Sequence, residues 1–167
     1  MKKLFFAIIF SLASFLVFGL PDLWDSYLIE QCNAVGIPVP AVRAILFQEN
    51  QSLNPEACPF NKNGSQDLGL FQMNSHYLWK DFIPKYWDRE EDFQWDNPFH
   101  NTYLAVRHIK WLYDIFDDLS IPTLQSKTFF VAIAYNCGVG AYFRGAIPES
   151  SVDYAKSVIH MAWGTGD

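Results

Sequence analysis

The sequence predicts a mainly α fold: one domain with a single short β or irregular segment. Three observations carry this. The 167 residues suffice for one domain of ordinary size and are too few for two comfortable ones. Half of them are hydrophobic and 17% are aromatic, enough to fill one core and leave aromatic surface for a cleft. Apolar residues recur at helical spacing along nearly the whole chain, with no internal repeat and no low-complexity stretch.

Taken in order, the first nineteen residues read as an export leader. Lys2 and Lys3 precede an apolar run over residues 4–18, interrupted by Ser11 and Ser14, and Val17-Phe18-Gly19 places cleavage after Gly19. The run is shorter than the ~20 apolar residues of a membrane span, and no later segment could serve as one. An uncleaved N-terminal anchor is the alternative. Residues 20–167 then form the mature domain. A helix is predicted over residues 21–32, entered through Pro21-Asp22. Val39-Pro40 opens a second, with proline in a favoured first-turn position and Val42, Ile45 and Leu46 following. The polar, glycine-containing residues 61–67 must be a loop or a small hairpin. Residues 69–77 are compact and apolar, and residues 83–98, which include Trp87, Phe93 and Trp95, look irregular. Residues 101–116 form the longest predicted helix, with Leu104, Ile109, Leu112, Ile115 and Phe116 facing the core. Residues 126–136 are apolar all round, as a central helix is, and Gly138-Val139-Gly140 ends them. A last helix is expected over residues 151–163, capped by Ser150 or Ser151.

The formal net charge of −6 becomes −8 once Lys2 and Lys3 leave with the leader. An acidic exported domain is a poor partner for nucleic acid and for anionic membrane surfaces. Neither nucleic-acid binding nor stable membrane insertion is expected. No Cys/His spacing resembles a metal site, so no metal and no cofactor is expected. An oxidising compartment permits one disulfide among Cys32, Cys58 and Cys137, but the odd count leaves a thiol over and spacing does not choose the pair.

One carboxylate is out of place. Val42, Ile45, Leu46 and Glu49 stand at i, i+3, i+4 and i+7, so Glu49 continues an apolar stripe. Desolvation there would raise its pKa and keep a proton near neutrality, which is what protonation of a departing glycosidic oxygen requires. The plainer reading is that the last turn of the helix bends Glu49 back to water, as most charged residues are. Asp67 lies 18 residues on, in Gly64-Ser65-Gln66-Asp67-Leu68-Gly69-Leu70-Phe71-Gln72-Met73-Asn74-Ser75. Gly64-Ser65 allows a tight turn and Gly69 a close backbone approach. Gln72 and Asn74 supply neutral hydrogen-bonding groups of the kind sugars use.

The segment Glu49-Asn50-Gln51-Ser52-Leu53-Asn54-Pro55-Glu56-Ala57 resembles the catalytic-glutamate motif of the soluble lytic transglycosylase (SLT) family. Residues 64–74 resemble its second motif, and Ala134-Tyr135-Asn136-Cys137-Gly138 its third; Asn101 and Tyr154 fall where the family has an Asn and a Tyr. The resemblance is collinear over about residues 37–158 and implies a lysozyme-like (α+β) fold. It also implies Glu49 as the acid/base, with Gln72 and Asn136 binding sugar substituents beside Asn74. Phe71 would form an apolar wall of the cleft, Tyr135 would hydrogen-bond near Glu49 and orient it, and Tyr154 would approach from the last helix. Two departures stand out. Asn50 occupies a position where many relatives have Ser. Asp67 sits in a context also similar to animal-type lysozymes, where that aspartate is the second catalytic carboxylate. The resemblance therefore implies a small exported subgroup keeping both carboxylates, of the sort associated with envelope-spanning assemblies, with peptidoglycan glycan strands as substrate in the periplasm or outside the cell. The chain lacks the basic charge of wall-clinging lysozymes, which suggests confined digestion.

The reaction so implied is non-hydrolytic cleavage of the MurNAc-β-1,4-GlcNAc bond with 1,6-anhydro ends. A lysozyme-type hydrolase acting on the same bond, with Asp67 as nucleophile or stabiliser, remains open. An inactive glycan-binding module is a third reading, disfavoured by the presence of both Glu49 and Asp67. A merely structural Glu49 would pair with Arg43 or Arg107. Because Cys137 sits in the turn beneath the site, it is expected buried and reduced, and Cys32 and Cys58 are the favoured partners if a bridge forms.

Overall fold

A computed structural model describes residues 22–164; the leader read over residues 1–19 lies outside them. The protein is mainly helical with one two-stranded sheet, as the periodicity predicts. Helix α1 covers residues 22–35 and stops at Gly36, whose φ of +74° turns the chain so that its N–H and that of Ile37 both reach the Cys32 carbonyl. Trp24 donates to Thr102 at 2.8 Å and Tyr27 meets Phe99 edge-on, which fixes α1 against the long helix.

Helix α2, Val39–Glu49, buries Ala41, Val42, Ala44, Ile45 and Leu46. The following loop is held by Asn50. Its side chain donates to the Asn54 carbonyl at 2.7 Å and accepts from Ser52 and from the Asn54 N–H. Asn50 therefore fastens this loop. Strands β1 (Asp67–Leu68) and β2 (Met73–Asn74) pair antiparallel, Asp67 opposite Asn74 and Leu68 opposite Met73. Between them Gly69 has φ +75°, and a Cβ there would lie 2.4 Å from Asn101 Nδ2 and 2.6 Å from the Trp95 carbonyl. Only glycine fits. Buried Asn101 occupies that space, donating to the Leu68 carbonyl at 3.0 Å and accepting from the Phe71 N–H at 2.9 Å.

The stretch after the hairpin contains short helical turns: α3 (Ser75–Tyr77), a π turn (Leu78–Phe82) and, within residues 83–98 predicted as irregular, α4 (Ile83–Tyr86) and a 3-10 turn (Glu90–Asp92). Phe93 anchors it, with the rings of Trp79 and Trp87 edge-on at 6.0 and 5.4 Å. Helix α5, Pro98–Asp117, is capped by Asn97, which accepts from the Phe99 and His100 N–H groups. Its buried face includes Leu104, Ile109, Leu112 and Phe116, whereas Ile115 is half-buried at the rim.

Helix α6, Leu124–Cys137, starts at the Thr123 cap and packs between α5 and α8. Gly138 ends it at φ +84° and a short α7, Val139–Phe143, follows. Helix α8, Glu149–Trp163, also packs on α2. It begins two residues earlier than the sequence predicts, behind Pro148 and without a side-chain cap. The Ser151 hydroxyl is spent on Asn136 instead, at 2.7 Å. No described helix is long and apolar enough to cross a membrane.

Candidate active site

The C-terminal end of α2, the β-hairpin, the turns over residues 75–86, one face of α5 and the end of α6 enclose a cleft of about 1040 Å³. Glu49, Asp67, Gln72, Asn74, Tyr135 and Asn136 all line it. Glu49 is the last residue of α2, so the apolar stripe delivers its carboxylate to the cleft wall. Burial pushes its pKa up to about 7. The Tyr154 hydroxyl, which donates to Oε1 at 2.7 Å, opposes that rise, and the Asp67 charge adds to it. Glu49 is thus about half protonated at neutrality, where an ordinary carboxyl would be ionised, and has a fixed direction in which to deliver its proton. No arginine takes it: Arg43 pairs with Asp25 at 2.5 Å, and Arg107 reaches Gln31 and the Tyr103 carbonyl.

Asp67 is oriented by its cross-strand neighbour. Asn74 Nδ2 donates to Asp67 Oδ1 and to Ser65 Oγ, both at 2.9 Å, while Asn74 Oδ1 accepts from the His76 N–H. Asn74, expected to contact sugar, instead spends its amide inside the protein as a positioning group. Gln72 has φ +48° and donates to the carbonyls of Gly69 (2.7 Å) and Ala57 (3.2 Å). Its Oε1 accepts no hydrogen bond from the described residues and remains available to an amide or hydroxyl donor. Asn136 is the complement. Its Oδ1 accepts from Ser151, and its amide nitrogen has no partner among the described residues.

Three further expectations are corrected. Phe71 does not wall the cleft. It is fully buried in the core, because the left-handed residues Gly69 and Gln72 break the strand alternation and turn Phe71 inward. Tyr135 does not orient Glu49, since its hydroxyl donates to the Phe71 carbonyl at 2.7 Å; burial and the neighbouring Glu49 and Asp67 charges hold its pKa well above the usual phenol value. Tyr154 does that task, and it lies behind the acid, nearly buried, with no place on the cleft lining. Of the cysteines, Cys137 is reduced but less buried than expected. All three are free: Cys32 is sealed in the core, Cys58 is exposed, and Cys137 is half-buried on the cleft wall. A Cys32–Cys58 bridge would have to draw a core side chain and an exposed one together.

The transglycosylase SLT domain family matches residues 26–157, a span from α1 into α8 that includes the whole cleft. The chain belongs to this family. No curated protein and no solved structure matches it. An SLT domain implies transglycosylase or lysozyme-like chemistry on peptidoglycan, outside the cytoplasm. Among the described residues of this SLT domain, no group of three His, Cys, Asp or Glu side chains could hold a metal. The opposite wall escaped sequence reasoning: Tyr77, Phe82, Lys85 and Tyr86 from the turns, and His108 and Trp111 from α5. In sequence His108 and Trp111 read as an ordinary i, i+3 helical pair. Only packing of α5 against the turns places them on the cleft.

Proposed function

We propose that the protein is an exported peptidoglycan lytic transglycosylase, its leader removed after Gly19. The observation that supports this best is Glu49, its pKa raised by burial and its carboxyl fastened by Tyr154, on the wall of a cleft of oligosaccharide size. Glu49 donates its proton to the bridging oxygen as the bond from the muramyl anomeric carbon to that oxygen breaks. The substrate's acetamido oxygen closes onto the anomeric carbon, with Gln72 and Asn136 offering an acceptor and a donor to the acetamido group and its neighbours. Glu49, now a carboxylate, takes the proton of the muramyl 6-hydroxyl. That oxygen bonds to the anomeric carbon, the acetamido bond opens, and a 1,6-anhydro ring results. Asp67 stabilises the positive charge that develops between these steps.

Asp67 favours a second reading. It lines the same cleft, near enough for its charge to raise the pKa of Glu49, and could serve a water-accepting, lysozyme-type hydrolase. Both chemistries need the same acid. Glu49→Gln should abolish cleavage of purified peptidoglycan with the fold intact, because an amide cannot give up the proton. Near-normal digestion by that variant would refute both.

A further inference from the structure

The unassigned wall carries a cation in an unusual setting. The Lys85 Nζ lies 4.8 Å from the Tyr86 ring centroid and 5.4 Å from that of Trp111, on the cleft lining. Lys110, Lys127 and Lys156 each find an aspartate, whereas Lys85, like Lys62 on the same cleft and Lys80, makes no ion pair among the described residues; of these three, Lys85 is the one whose ammonium lies over aromatic rings. Asp81, one helical turn earlier and also on the cleft, does not take it. Beside it stands His108, stacked on Trp111 at 5.5 Å and against Phe82 at 4.3 Å. His108 Nδ1 is sealed from solvent and is the one such side-chain atom with no partner among the described residues. Burial and the Lys85 charge push the His108 pKa down to about 3, so the ring stays neutral and does not compete with Lys85 for an anion.

The position relative to the acid follows from the contacts. The Glu49 charge acts on Tyr135, the Tyr135 ring lies 5.6 Å from His108, and His108 leads to Trp111 and Lys85. Lys85 is therefore removed from the bond being cleaved and placed to meet a substituent of the strand. The sugar rings carry no charge, whereas the peptide borne on the muramyl lactyl group ends in carboxylates. The geometry points to a carboxylate subsite: Lys85, steadied by Tyr86 and Trp111, receives a carboxylate of the peptide substituent of the glycan strand. This rests on peptidoglycan being the substrate, and it makes the enzyme selective for peptide-bearing strands over bare ones.

The test is a binding titration of Glu49→Gln protein, which holds ligand without turnover, with soluble peptide-bearing muropeptide oligomers. The comparison ligand is the same oligomers with their carboxylates converted to amides. Amidation should weaken binding about five-fold, in the range of an exposed charge pair, and added salt should erase the difference. Lys85→Met in the same background should bind both ligands alike and lose the salt dependence. Equal affinity of the Glu49→Gln protein for both ligands, or a preference that survives Lys85→Met, would overturn the subsite. Cleavage by the unaltered enzyme is read separately. Carboxylate-dependent binding without cleavage defeats the proposed function and keeps the subsite; cleavage with charge-blind binding does the reverse.

Discussion

Removing the charge of Glu49 should make the protein more stable in alkali and leave it nearly unchanged in acid. The carboxyl has an ordinary pKa of 4.5 and is held at about 7 in the fold. The folded state therefore binds this proton more tightly than the unfolded chain does. Below pH 4.5 both states are protonated and the residue costs nothing. As pH rises toward 7 the unfolded chain ionises first, and stability falls; above 7 the full cost is present. The interval of about 2.5 pH units, at about 1.36 kcal/mol each, amounts to about 3 kcal/mol. Glu49→Gln cannot ionise and can still accept from Tyr154, so it escapes that cost. For a domain near this size the difference is a rise in Tm of about 6–12 °C at pH 9. The assay is paired thermal melts of parent and variant at pH 4 and pH 9, in which every other titration cancels. An equal difference at both pH values, or a variant that melts below the parent at pH 9, would refute the claim that burial holds a proton on Glu49.

Other outcomes follow from the same contacts. Tyr154→Phe removes a hydrogen bond that favours the carboxylate, so the alkaline limb of kcat/KM should move up by about one pH unit while kcat falls about ten-fold; a limb that stays or moves down contradicts the assignment. Asp67→Asn removes a charge that raises the Glu49 pKa, so its alkaline limb should move down instead. It should also lower the rate by about one to two orders of magnitude, with the type of product end unchanged; a switch of product type would place Asp67 in the bond-making step. A thiol reagent should modify Cys58 and Cys137 in the native protein and Cys32 only after unfolding, three thiols in all. A bridge mapped to any of them would contradict that.

The helical framework was legible because burial follows the 3.6-residue period: Val42, Ile45 and Leu46 are buried and Glu49 follows on their face. Glu49 could be picked out because it continues an apolar stripe, and Gln72 because it is a neutral polar group in a glycine-containing turn, whereas Asp67 and Asn136 stood out through the resemblance of their motifs to the SLT family. Phe71 could not be placed. Its direction depends on left-handed backbone at Gly69 and at Gln72, and glutamine gives no warning of that conformation. The exchange of tasks between Tyr135 and Tyr154 was equally hidden, since which phenol meets the acid is set by how α6 and α8 pack on α2. Ser151 resembles a helix cap, yet Pro148 already starts α8 and the hydroxyl is free to fasten Asn136. The Lys85 wall has no local signature, because a π turn and a half-buried helix face meet there only in three dimensions.

The most direct measurement is the mass of the glycan ends released from purified peptidoglycan by the unaltered protein. If Glu49 returns as a base for the muramyl 6-hydroxyl, the ends are 1,6-anhydro and one water lighter than hydrolysed ends. Predominantly reducing, water-added ends would contradict the account and make the protein a hydrolase that uses the same acid.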